Sequence, residues 1–107
     1  MFQDNEQYIK ILNDLRKPIE DITIAVMTMG EISDQQKEAL YNQLAQMSAY
    51  VSKEPMIPRD LTDLLFKFYL RVTAEGKYKE QKDRSFLFFI GKLQTYLAEI
   101  LCKEDKL

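Results

Sequence analysis

Apolar residues recur along this chain at alternating steps of four and three, the spacing that lines up one face of a helix. The first segment carries Tyr8, Leu12, Leu15, Ile19, Ile22, Val26 and Met29 in that rhythm. Pro18 interrupts it chemically, because proline offers no N–H and crowds the preceding turn. Two readings are open: one long helix kinked at Pro18, or a first helix ending at Lys17 and a second with Pro18 in its first turn. The stripe keeps its phase across Pro18, which favours the single kinked helix. Gly30 supplies the stop. Ser33 followed by Gln36 has the form of a capping box and opens a second helix, with Leu40, Leu44, Met47 and Val51 as its stripe and Pro55 as its end.

Lys53 to Pro58 reads as a short linker with Met56 and Ile57 as apolar anchors. A third helix follows from Pro58 or Asp60, faced by Leu61, Leu64, Leu65, Phe68 and Val72. Phe66, Tyr69 and Leu70 widen that face until little stays polar, which predicts a central helix. Asp63 and Lys67, four apart, are expected to pair on the remaining strip. The last helix takes Phe86, Phe89 or Ile90, Leu93, Tyr96 or Leu97, and Ile100. FLFFI alone could be a strand; its continuation at helical spacing selects helix. Approximate helices 4–29, 34–52, 59–75 and 83–102, joined by short connections, predict an all-α, antiparallel four-helix bundle in one domain over 1–107.

Composition narrows the class. With 107 residues, 46% of them hydrophobic, the chain can bury one core without staples. The net charge of −2 and pI near 5.2 speak against a general nucleic-acid binder, which needs a basic surplus. No run approaches the ~20 apolar residues of a membrane span, and the start MFQDNEQYIK does not have the form of a signal peptide. The expectation is a cytoplasmic protein that is not integral to a membrane.

The chain has no histidine and one cysteine, Cys102. That removes an imidazole base, a Ser-His-Asp arrangement and a His- or Cys-based zinc site. Carboxylates occur as Asp4 and Glu6, Glu20 and Asp21, and Glu104 and Asp105, as solvated helix faces do. No glycine-rich phosphate loop exists. Cys102 reads as a small, semi-buried hydrophobe. Gly91, inside the last helix, leaves room for another helix to approach. These residues predict no enzyme, no cofactor and no metal.

Binding is what remains. Ile24, Tyr50 and Phe88 fall off the stripes among polar neighbours and should be exposed in a monomer, where they could form a partner surface. Lys77, Tyr78 and Lys79 make a basic-aromatic stretch suited to recognition or to a solvated connector, diluted by Glu75, Glu80 and Asp83.

The layout resembles the bacteriocin immunity proteins of lactic acid and related Gram-positive bacteria. The resemblance rests on whole-chain length, four helical segments, and MIPRDLTDLLFKFYLRV (Met56 to Val72), where an Ile-Pro turn leads into a Leu- and aromatic-rich third helix. A second apolar helix and a short charged tail follow. The family's members are often basic, whereas this chain is slightly acidic. The resemblance implies a non-enzymatic protein that guards its producer against a pediocin-like peptide. It implies recognition, from the cytosolic side, of a membrane receptor with the peptide bound, commonly a sugar-phosphotransferase permease. Specificity would lie in the C-terminal half, here including Lys77, Tyr78, Lys79, Phe88 and the tail from Lys103. The alternative reading is a small helical adaptor or regulator acting through homodimerisation or docking.

Overall fold

A computed structural model of the protein describes residues 6–28, 30–54, 56–75 and 84–102. Four helices run in order: α1 (Glu6–Met27), α2 (Asp34–Val51), α3 (Arg59–Glu75) and α4 (Arg84–Leu101). No strand occurs among the described residues, and FLFFI lies inside α4.

Helix α1 continues through Pro18 without a break. The proline leaves the carbonyl of Asp14 without its helical donor. Its ring is buried, as are Ile11, Leu15 and Ile19 around it. Packing therefore holds the helix together where hydrogen bonding alone would weaken it. At the far end Thr28 donates its hydroxyl to the Ile24 carbonyl (2.8 Å), and the Gly30 N–H reaches back to the Ala25 carbonyl (2.8 Å). A Cβ on Gly30 would sit 3.3 Å from that same carbonyl oxygen, so the close return of the chain favours glycine there. The capping box at α2 is closed in both directions: Gln36 N–H donates to Ser33 Oγ (3.1 Å), and Ser33 N–H donates to Gln36 Oε1 (2.9 Å).

Each helix touches two others: α1 packs on α2 and α3, and α4 packs on α2 and α3. The third helix is thus one corner of four, not a central element. Phe66 and Leu70 remain exposed on it, at 56% and 49%, because no fifth element among the described residues covers its wide apolar face. Consecutive helices run antiparallel. Tyr8 near the start of α1 stacks on Tyr50 near the end of α2, and Tyr69 late in α3 meets Gln94 of α4. Across the two hairpins the directions agree. Tyr8 reaches Asp60 at the start of α3, Arg71 late in α3 reaches Met27 at the end of α1, and Lys37 early in α2 reaches Ser85 at the start of α4. The α2–α3 connection accordingly crosses the end of the bundle, since α2 and α3 are diagonal.

One apolar core fills the centre, built from all four stripes, and it includes no buried polar or charged residue among those described. Ile57 packs against this core, but Met56 does not anchor anything: it is 77% exposed. The expected Asp63–Lys67 pair does not close. Among the described residues the helical ion pairs are Lys10–Asp14 (3.1 Å) and Lys17–Asp21 (3.8 Å), both with lysine first, which is the weaker order.

Two side chains test this packing. The buried Tyr8 hydroxyl donates to Asp60 Oδ1 at 2.8 Å and ties the start of α1 to the start of α3. Tyr8→Phe should lower unfolding free energy by about 2 kcal/mol, as loss of a bond to a charged acceptor does. Conversely, Gln43 Oε1 is buried with no hydrogen-bond partner. Gln43→Leu should raise stability by about 1 kcal/mol, because it removes a desolvated acceptor. Urea unfolding followed by circular dichroism reads both changes.

Candidate functional site

Helix α4 has three sides. One enters the core through Phe86, Phe89, Ile90, Leu93, Leu97 and Ile100. A second flank meets α2, where Tyr41 acts as the hub. Its ring stacks on Tyr96 (centroids 5.6 Å apart, planes 20° apart) and tilts against Phe89 (6.2 Å). The Lys92 ammonium sits over the same ring, 4.7 Å from its centroid. Offset aromatic pairs of this kind add to plain area burial, and a cation over the ring face adds again. On the flank toward α3, Gln94 Nε2 donates to the Tyr69 hydroxyl at 2.7 Å.

The outward side is open. Leu87, Phe88, Gly91, Lys92, Thr95, Tyr96 and Glu99 line a groove of about 670 Å³. Phe88 projects from it at 72% exposure, as its off-stripe position predicts. Thr95 donates its hydroxyl to the Gly91 carbonyl at 3.2 Å, so its polar group is engaged within its own helix. A Cβ built on Gly91 meets nothing within 4 Å. Among the described residues no other helix approaches Gly91, contrary to the expectation of close packing there. The groove supplies apolar contact with one cation and one carboxylate at its edge. Among the described residues no group of three His, Cys, Asp or Glu side chains gathers to hold a metal.

The predicted site residues separate. Ile24, at 60% exposure, is open like Phe88, but it lies on α1. Tyr50 is half-buried, not exposed, because its ring stacks on Tyr8 at 6.2 Å and packs against the core. Its place is structural: the α1–α2 interface is wide enough to take up a residue just off the stripe. Lys77, Tyr78, Lys79 and Lys103 lie outside the described residues. Cys102 is exposed at the end of α4, not semi-buried. Spacing places Phe66 and Leu70 on the widened apolar face of α3 and gives Leu87 no face, yet all three are exposed. Their signal was a run of apolar residues too wide for one helix face to bury against two neighbours.

The tyrosines record how dry the interfaces are. Burial, helped by Tyr96 and Glu38, pushes the Tyr41 hydroxyl up to about 12. Burial, reinforced by the hydrogen bond the Tyr8 hydroxyl donates to Asp60 and by that carboxylate's charge, also raises Tyr8 above the ordinary tyrosine range.

No helix among the described residues is long and apolar enough to cross a membrane. No family model matches the chain, and no curated protein and no solved structure matches it.

Raised folded-state values fix the sign of a pH effect. Below about pH 10 both tyrosines are neutral in either state, and their contribution to stability is fully present. Above it the unfolded chain releases protons first, and stability falls by up to ~1.4 kcal/mol per pH unit for each tyrosine. Tyr41→Phe should therefore show a shallower loss between pH 10 and 12 than the unsubstituted protein, as measured by urea unfolding at stepped pH. Identical slopes would mean that Tyr41 is not desolvated.

Proposed function

We propose that the protein is a non-enzymatic bacteriocin immunity protein. It would act in the cytoplasm, against the inner face of the membrane, on a receptor that carries a pediocin-like peptide. A sugar-phosphotransferase permease is the receptor class that the sequence resemblance implies. The observation carrying this reading is where exposed aromatic surface lies. Phe66 and Phe88 are the exposed phenylalanines among the described residues, and both belong to the α3–α4 hairpin. Leu70 and Leu87 add to it. Exposed aromatic and aliphatic side chains on a stable scaffold are the usual raw material of a recognition surface.

The arrangement suits recognition better than chemistry. A helix face that presents apolar side chains beside Lys92 and Glu99 can bind and orient a partner. A rigid bundle would hold those side chains in place before the partner arrives, which limits the entropy lost on binding. The specificity that the resemblance assigns to the C-terminal half would reside on these two helices and the segments that join and follow them. The alternative, an adaptor acting through homodimerisation or docking, draws on the wide apolar faces of α3 and α4, where Phe66, Leu70, Leu87 and Phe88 stay exposed.

Expression in a bacteriocin-sensitive strain should protect against one subclass of pediocin-like peptides. Phe66→Ser and Phe88→Ser should each weaken that protection while the purified variants keep the helical circular dichroism of the parent. If a panel of such peptides kills expressing and control cells equally, the immunity reading fails.

A further inference from the structure

We infer that the outward face of α4 pairs with the same face of a second copy, the two helices running antiparallel about a two-fold axis near Thr95. Three independent features of the face point to this occupant.

The first is its order of sizes. Bulky Leu87 and Phe88 come early in the helix, while Gly91, Thr95 and Ala98, exposed after them beside the longer Lys92, Gln94 and Glu99, are small. Reversing a second copy lays each Phe88 ring toward the small, C-terminal part of its partner. A parallel pair would instead set Phe88 against Phe88 and small residues against small residues, leaving a void along the seam.

The second feature is charge. Lys92 lies on the groove's α2 side, over Tyr41, and Glu99, seven residues and about two turns on, follows it along the same flank of the groove. A two-fold axis perpendicular to the helices brings like flanks together while reversing direction. Lys92 of one copy then lies beside Glu99 of the other, twice over. A parallel two-fold pair would instead carry the Lys92–Glu99 flanks to opposite sides of the seam, so that no lysine would meet a glutamate. An isologous interface needs this kind of self-complementarity.

The third feature is Gly91. Glycine inside a helix costs about 1 kcal/mol relative to alanine. Among the described residues nothing comes within 4 Å of its missing Cβ, so the glycine gains them no packing. A second helix crossing near Thr95, about one turn away, would use the space, since glycine lets two backbones approach closely. Phe66 and Leu70, on α3, are not part of this face. The pairing does not rest on the immunity reading, because it is read from self-association of the purified chain.

Sedimentation equilibrium at micromolar concentration tests it. The unsubstituted chain should form a dimer. Lys92→Glu alone and Glu99→Lys alone should each weaken it by about tenfold or more, as like charges meet across the seam. The double variant Lys92→Glu/Glu99→Lys should restore it. Gly91→Leu should abolish pairing while unchanged circular dichroism shows that the bundle is intact. A spin label on Cys102, the one cysteine, reports direction. Antiparallel helices hold the two Cys102 positions roughly 20 Å apart along the axis, from a rise of about 1.5 Å per residue. A chain that stays monomeric overturns the proposal. So does a dimer indifferent to both single charge reversals, or one whose labels lie side by side.

Discussion

Each helix carries more apolar surface than it can leave in water, and the four can hide it only against one another. That constraint organises the rest of the structure. The core accepts all four stripes and, among the described residues, no polar or charged side chain. Apolar burial at roughly 25 cal/mol per Å² dominates such a core, and it tolerates local faults that hydrogen bonding would not. Pro18 is the clearest case. Its missing N–H should weaken α1, yet the ring itself is buried and the helix runs on to Met27. Tyr8 shows the complementary rule: a hydroxyl enters the dry interior only with a partner, here Asp60 at 2.8 Å.

The same constraint decides what is left outside. With two hairpins stacked so that every helix has two neighbours, each helix buries roughly one face and shows the opposite one to solvent. On α2 the exposed side is polar. On α3 and α4 the apolar run exceeds what two neighbours can cover, and Phe66, Leu70, Leu87 and Phe88 remain in water. The α2–α4 interface stiffens the support beneath Phe88 through Tyr41, which contacts Tyr96, Phe89 and Lys92 together. What the bundle leaves outside on α3 and α4 is thus surplus apolar surface on a packed support.

The periodic pattern made most of this fold legible. The limits of α3 agree with its apolar spacing, and the other helices lie within a residue or two of theirs. The capping box was readable because its chemistry is local: Ser33 and Gln36 need only each other. Phe88 and Ile24 were readable as exposed because polar neighbours flank them at helical spacing. What depends on neighbours was not. Tyr50 looked exposed until Tyr8, far away in sequence, supplied a ring to stack on. The wide face of α3 looked like that of a central helix because sequence gives the breadth of a face but not the number of elements available to cover it. Gly91 posed the same difficulty, since an approaching helix and open space leave the same mark in the sequence.

The central claim is that four stripes form a single cooperative core that carries the exposed α3–α4 surface as a rigid body. Residue-resolved amide hydrogen exchange tests it most directly. The account predicts that the slowest amides lie in all four helices, around Leu15, Leu44, Leu65 and Leu93, and that they share one opening free energy, including those on both sides of Pro18. If α3 and α4 exchanged as a separate unit at much lower free energy than α1 and α2, the claim would be contradicted.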